Sequence, residues 1–522
     1  MAASGVPSIG LATTRRSRRT IVAAGAATGA LGAISALGWT LVAGARQDGV
    51  PAATPHVPGK TAETSTHDHA STPTVGPKPT PVVDPIAFGF VAGEEFADPP
   101  VRKSENGLLE TTLTAAFGPA IVAGREVTTL TYDGSLPGPT LQVQSGDTLK
   151  VRVINEFDQP TNLHTHGLHV SPSGNSDNVF VSIEPGTSFD YEIELPTNHQ
   201  PGTYWYHPHH HGNTHRQVAL GLAGMIVNEG IAELVPELAS YPTKIMAIQS
   251  TQFDTTGIVL PTGMQFDPLT LINGQWQPVI RMRPGEIQRW LIGNLTSGIV
   301  YNVALASHAL YQIAADGNAF DTPQLANSIV LGPGERADVL VQAFEVPGTY
   351  ALRSLLWGAG FQATEDLLLG TVIIEGDPVD STPMPSFLVP FEDLSQYQVD
   401  RQRSLLFQIV DDDDNPYLID GRLFDENRID QTVPLNALEE WDLVNVSHEW
   451  HPFHIHVNNF QVVAINGEPR TAHGYDDTFM IPPDGSVTIR SRFVDYTGKF
   501  VYHCHFLFHE DHSMMGVVAV VE

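Results

Sequence analysis

Gly498-Lys-Phe-Val-Tyr-His503-Cys504-His505-Phe-Leu-Phe-His509-Glu510-Asp-His-Ser-Met514 decides how the rest of the chain is read. It holds the only cysteine in 522 residues, with a histidine on each side of it. On a strand, successive side chains point to opposite faces. Cys504 therefore faces one way while His503 and His505 face the other. One metal can take Cys504, His509 and a weakly held Met514, with Met515 as the less well spaced axial alternative. A thiolate, two imidazoles and a long axial thioether make the blue-copper electron-transfer pattern. The second imidazole has to come from elsewhere. The two flanking histidines are left to hold a second centre, joined to the first through the backbone.

Working outward, one pattern recurs three times. A Gly-Asp or Gly-Glu turn (or its equivalent), a strand and an asparagine run from Gly146 to Asn155, from Gly285 to Asn294 and from Asn436 to Asn445. A Pro/Gly turn, a strand and a Gly-aromatic strand start follow at Pro185 to Tyr204, Pro333 to Tyr350 and Pro483 to Phe500. Self-similarity at this period predicts an array of like domains. Short β-branched and aromatic runs with regular Gly/Pro punctuation predict an all-β protein of Greek-key sandwiches. The boundaries are expected at 86–230, 231–378 and 379–522.

The repeat says where ligands should fall. The ninth and eleventh residues after the marker asparagine are His164 and His166 in the first unit and His454 and His456 in the third. In the second they are Val303 and Leu305. The third and fifth after the later aromatic are His207 and His209, then Arg353 and Leu355, then His503 and His505. Each i, i+2 pair puts two imidazoles on one strand face. The sixth residue after Asn445 is His451, the missing nitrogen for the Cys504 site. Its counterparts Thr161 and Val300 cannot serve, so only the third unit carries a blue-copper site. Eight further imidazoles divide as three, three and two, a cluster of three coppers with room for oxygen. It should lie between the outer domains, with the middle one as a spacer. His210, His211, His215 and His512 are not expected as ligands.

In His164-Thr-His166-Gly167, in His207-Pro-His209 led by Tyr204-Trp205-Tyr206, in His451-Pro-Phe-His454-Ile-His456 and in His503-Cys504-His505 through Met514, the chain resembles the three-domain multicopper oxidases from about residue 86 onward. The resemblance implies three consecutive cupredoxin-like domains and four coppers. It implies that His451, Cys504, His509 and Met514 form the type 1 site and that His164 and His454 are the type 2 ligands. His166, His207, His209, His456, His503 and His505 become the type 3 ligands. It also implies the reaction: four one-electron oxidations of a reductant at type 1, and four-electron reduction of O2 to water. Protons for oxygen need relays, and carboxylates are suited to that. Asp177, in the loop after the first His-x-His motif, and Glu510, next to His509, are the candidates.

The reductant is less legible. Cuprous oxidases tend to carry Met-rich insertions, because thioether suits Cu(I). The nine methionines here are scattered. A phenol or aromatic-amine oxidase of laccase type is therefore expected. A metal oxidase acting on Cu(I), Fe(II) or Mn(II) is second. An exported copper-binding or division-related protein without oxidase activity is the rival from another class. A net charge of −31 argues against nucleic-acid partners, whose attraction needs a basic surface.

Ser17-Arg18-Arg19-Thr20 ahead of an Ala/Gly-rich apolar run to Ala45 has the look of a twin-arginine export signal over 1–45. Export of a folded chain suits one with no possible internal disulfide, and the destination would be periplasmic, cell-surface or extracellular. A retained membrane anchor is the alternative. Residues 46–85, rich in Pro, Thr, Ala and Gly, read as a disordered linker, and His67-Asp68-His69 within it as a weak metal catch at most.

Overall fold

A computed structural model of the protein describes residues 84–260, 268–358, 362–410 and 417–522. The export segment at 1–45, the His67-Asp68-His69 run and nearly all of the linker lie outside the described residues. Among the described residues, no helix is long and apolar enough to cross a membrane.

The strands follow from period-2 burial. Thr148–Asn155 alternates between inward Leu149, Val151 and Val153 and outward Lys150 and Arg152. Such alternation is what a sheet with one covered face requires. Six sheets result. In the middle and last thirds of the chain a six-stranded sheet pairs with a five-stranded one, and strand order is the same in both. The first third pairs a five-stranded with a four-stranded sheet. Three large apolar clusters fill the sandwiches.

The recurring asparagine has a physical reason. Asn155 Nδ2 donates to Gln159 O and Ile183 O, both at 2.8 Å, and its Oδ1 accepts from Phe157 N. Asn294 does the same with Ile299 O, Leu331 O and Thr296 N. Asn445 repeats it with Glu449 O, Pro482 O and Ser447 N. In each case one buried amide satisfies three backbone groups where the chain leaves one sheet for the other. No shorter side chain reaches all three, and each group left unpaired there costs about 1–3 kcal/mol. Four residues earlier, Trp290 and Trp441 are fully buried at matching positions, with their indole N–H groups on Gln288 and Glu439.

This corner delivers the next strand in fixed register. His164–His166 pairs antiparallel with Gly202–His207, placing His164 opposite His207. His451–Ile455 pairs with Gly498–Cys504, placing His454 opposite His503 and Phe453 opposite Cys504. In the middle domain the equivalent ladder is shifted by one residue, with Val303 opposite Ser354 and Ala304 opposite Arg353. The second member of three histidine pairs, His209, His456 and His505, falls just past its strand end.

Candidate metal centre

The two outer domains bring their histidine ladders face to face. His164 stacks on His456 with ring centroids 3.8 Å apart and planes at 6°. His166 stacks on His454 at 3.7 Å and 12°. Ligand atoms of His164, His166 and His207, of His164, His454 and His456, and of His209, His456 and His503 lie within 4.8 Å of one another in each group. His505 packs edge-on to His166 at 4.9 Å and to His207 at 5.5 Å. All eight are buried.

Their hydrogen bonds set which nitrogen points inward. His164 Nδ1 is 2.9 Å from Asp177 Oδ2. His166 Nε2 is 3.1 Å from Asp477 Oδ1. His207 Nδ1 meets Pro208 O, His454 Nδ1 meets Asp477 O and His503 Nδ1 meets Cys504 O. With those nitrogens protonated as donors, the opposite ones are lone pairs. His164 Nε2, His166 Nδ1, His207 Nε2, His454 Nε2 and both nitrogens of His505 find no protein partner. His503 Nε2 faces His209 Nε2 at 3.1 Å and His456 Nε2 at 3.3 Å. Burial pushes His164, His166, His207, His209, His456, His503 and His505 well below the usual imidazole range, so they stay neutral. A buried cavity on which this many neutral imidazole nitrogens converge, most with the opposite ring nitrogen held from outside, suits cations.

The Cys504 site lies one strand face away. Cys504 Sγ is 3.5 Å from His451 Nδ1 and 3.5 Å from His509 Nδ1, and the two nitrogens are 3.3 Å apart. Ser447 Oγ holds the outer nitrogen of His451 at 2.7 Å. Burial pushes the Cys504 thiol up and holds His451 down at about 3. A buried thiol ionises readily only against a cation, which a soft metal supplies. Met514 is buried with Cys504 in one apolar cluster. Its carbonyl accepts from Cys504 N and its N–H donates to His509 O. These bonds fold the His509-to-Met514 loop back over the cysteine.

Asp177 is buried against the cluster. It bonds His164 and accepts from Thr165 N at 2.8 Å, and burial raises it to about 7. Glu510 is fully buried, 3.2 Å from His503 Nδ1 and 3.6 Å from His209 Nδ1, and burial raises it well above the usual carboxylate range. His210 turns away to Ser182 Oγ, and His211 packs on Phe424.

Sequence reasoning did not find four other residues. Asp477 touches His166 and His454. Asp511 accepts from the backbone N–H groups of Gly212, Thr214 and His215, tying the segment after His209 to the third domain. Tyr417 stacks on His509 at 4.1 Å and 17°, and Glu449 Oε2 lies 3.5 Å from His509 Nε2. Asp477 and Tyr417 are common residue types far in sequence from a motif, whereas Asp511 lies inside the His503-to-Met514 run and Glu449 stands two residues before His451.

Three cupredoxin-like sandwiches with a Cys/His site in the last and a histidine cavity between the outer two define a copper oxidoreductase. Multicopper oxidase family models match residues 117–231, 241–375 and 398–522. A multicopper oxidase of Staphylococcus haemolyticus is 29% identical over 438 residues, covering 80% of this chain and 90% of that protein. Among solved structures, a metallo-oxidase of Campylobacter jejuni is 26% identical with a TM-score of 0.77, over 85% of this chain and 98% of its own. A laccase-like multicopper oxidase of an Ochrobactrum species, with oxidase activity towards lignin model compounds, is 27% identical with a TM-score of 0.70, over 81% of this chain and all of its own. The chain belongs to the multicopper oxidases. It is a copper-binding oxidoreductase that passes electrons from a reductant to O2.

Proposed function

We propose that the protein is a laccase-type oxidase of small phenols and aromatic amines, holding four coppers per chain. His451, Cys504, His509 and Met514 are assigned to type 1, His164 and His454 to type 2, and His166, His207, His209, His456, His503 and His505 to type 3. The observation that carries the assignment is the inward convergence of unpartnered imidazole nitrogens from the two outer domains. Bound copper supplies the one-electron chemistry and the site for oxygen.

The chain's own residues do the rest. Cys504 hydrogen-bonds through its backbone to Met514 and is continuous with His503 and His505, so its thiolate has a covalent route to the cluster. Asp177 orients His164 and holds a proton near neutral pH. Glu510 offers a second protonated carboxyl between His209 and His503. Both are suited to deliver protons to oxygen.

The aromatic reductant is supported by the surroundings of His509, where Tyr417 stacks on the ring and Phe506 packs edge-on at 5.3 Å. Glu449 favours the second reading, a metal-ion oxidase, because a carboxylate beside the electron-accepting imidazole can bind a reducing cation. Turnover of a phenol and of Cu(I), Fe(II) and Mn(II) by one copper-loaded sample decides between them. Faster metal oxidation rejects the laccase reading. A copper count with visible and EPR spectra tests the sites themselves, and fewer than four coppers, or no thiolate-to-copper band, rejects the assignment. Domains at 86–230, 231–378 and 379–522 and twin-arginine export of a chain cleaved near Ala45 complete the proposal.

A further inference from the structure

The middle domain contributes no histidine to the cluster, yet it reaches the cluster's back wall. Its Gly332–Arg336 turn packs on His505: a Cβ on Gly334 would lie 3.0 Å from that imidazole. From the same turn, Arg336, fully buried, extends its guanidinium towards the third domain. Arg336 Nη1 lies 2.9 Å from Asp477 Oδ1 and Nη2 lies 2.6 Å from Asp477 Oδ2, a two-pronged pair. Its Nε donates to Thr203 O of the first domain at 3.2 Å. One side chain thus touches all three domains.

Asp477 is the link to the metal ligands. Its Oδ1 faces His166 Nε2 at 3.1 Å, and its backbone carbonyl accepts from His454 Nδ1 at 2.8 Å. A second middle-domain carboxylate fixes the same loop. Asp316 Oδ2 accepts from Asp477 N at 3.1 Å and from Thr478 N at 3.0 Å, while its Oδ1 accepts from Arg336 N at 2.9 Å. The first domain leaves room for the pair at Gly167, where φ is +89° and a Cβ would overlap Arg336 Nη2 and Asp477 Oδ2. The glycine of the His164-Thr-His166-Gly167 motif is therefore required by a contact with the middle domain.

We propose that Arg336 is a positioning residue for the copper cluster: through Asp477 it orients His166 and His454, one ligand from each outer domain. The middle domain is then part of the site and not a spacer. A guanidinium suits the task because its rigid fork fixes the carboxylate in one plane, which a lysine cannot do. A direct partner of metal-bound histidines, the place Asp477 holds, costs about ten- to a hundredfold in metal affinity when removed, and Arg336, one bond further out, acts through it.

The proposal rests on the reading of these histidines as copper ligands, which the copper count of the unaltered protein checks by itself. The test compares copper-loaded wild type, Arg336→Gln and Arg336→Lys under a graded chelator challenge, with copper counts, the blue band and the type 2 EPR signal as readouts. In Arg336→Gln the blue band is expected to stay, while the type 2 hyperfine splitting shifts and cluster copper is lost at up to about tenfold lower chelator concentration, the low end of the range for a direct histidine partner. Arg336→Lys should fall between. A wild-type type 2 signal and wild-type chelator resistance in Arg336→Gln overturn the proposal. So does loss of the blue band in step with cluster copper, or failure of Arg336→Gln to fold, since Arg336 would then be holding the fold as a whole. Absence of cluster copper from the wild type would instead defeat the ligand reading.

Discussion

The imidazole of His164 lies flat on that of His456, 3.8 Å between centroids and 6° between planes, although the two belong to opposite ends of the chain. Two neutral rings in that arrangement gain little from each other. His164 is held from behind by Asp177 Oδ2 at 2.9 Å, while His456 Nε2 faces His503 Nε2 at 3.3 Å. The outer contact on His164 fixes which of its nitrogens faces the cavity.

That makes Asp177 the first target. Asp177→Asn keeps the shape and removes both the charge and the titrating proton. Turnover should fall by about a hundredfold or more, the range for a lost proton-transfer group, with copper content kept. Oxygen uptake alongside a copper count checks this, and unchanged turnover at full copper eliminates Asp177 as a relay. Because burial raises Asp177 to about 7, the wild-type rate should decline as pH rises through that value and the proton is lost. The variant should lack that limb.

At the Cys504 site, Met514→Leu removes the thioether without removing bulk. A sulfur axial donor lowers the potential relative to an apolar side chain. Redox titration of the blue band should show a rise in the variant, and a potential equal to or below wild type would refute Met514 as the axial group.

Gly167→Ala forces a left-handed backbone on alanine and drives its Cβ into the Arg336–Asp477 pair. Strain of about 1–3 kcal/mol adds to disruption of a buried ion pair. Thermal unfolding should show a markedly lower Tm, and a Tm within a degree or so of wild type would mean that the pair tolerates displacement.

His199 provides a pH-dependent stability term away from the ligands. It is buried, its Nε2 accepts from His169 N at 2.9 Å, its Nδ1 meets Gln200 O, and burial lowers it to about 4. The unfolded chain takes up a proton near 6.5 and the folded one resists until about 4. Stability is therefore full above pH 6.5 and is lost as pH falls through that window, by up to about 3 kcal/mol. Tm measured from pH 7.5 to 4.5 should fall less steeply in His199→Gln than in wild type. Parallel slopes would contradict the burial argument.

Read alone, the chain yields the candidate ligand set, the three-domain β-architecture and the family, because these rest on local chemistry. A lone cysteine between histidines, strand alternation and a marker asparagine are all expressed within a few residues, and the repeat carries them from one domain to the next. Tertiary structure alone decides what surrounds the ligands: the His164–His456 and His166–His454 stacks, the Arg336–Asp477–Asp316 bridge, Gly334 behind His505, and Tyr417 and Glu449 around His509. Those contacts join segments far apart in sequence and use residue types present everywhere, one aspartate among 58 acids. Their meaning comes from burial and from the partner across the interface, and neither is written in the local pattern.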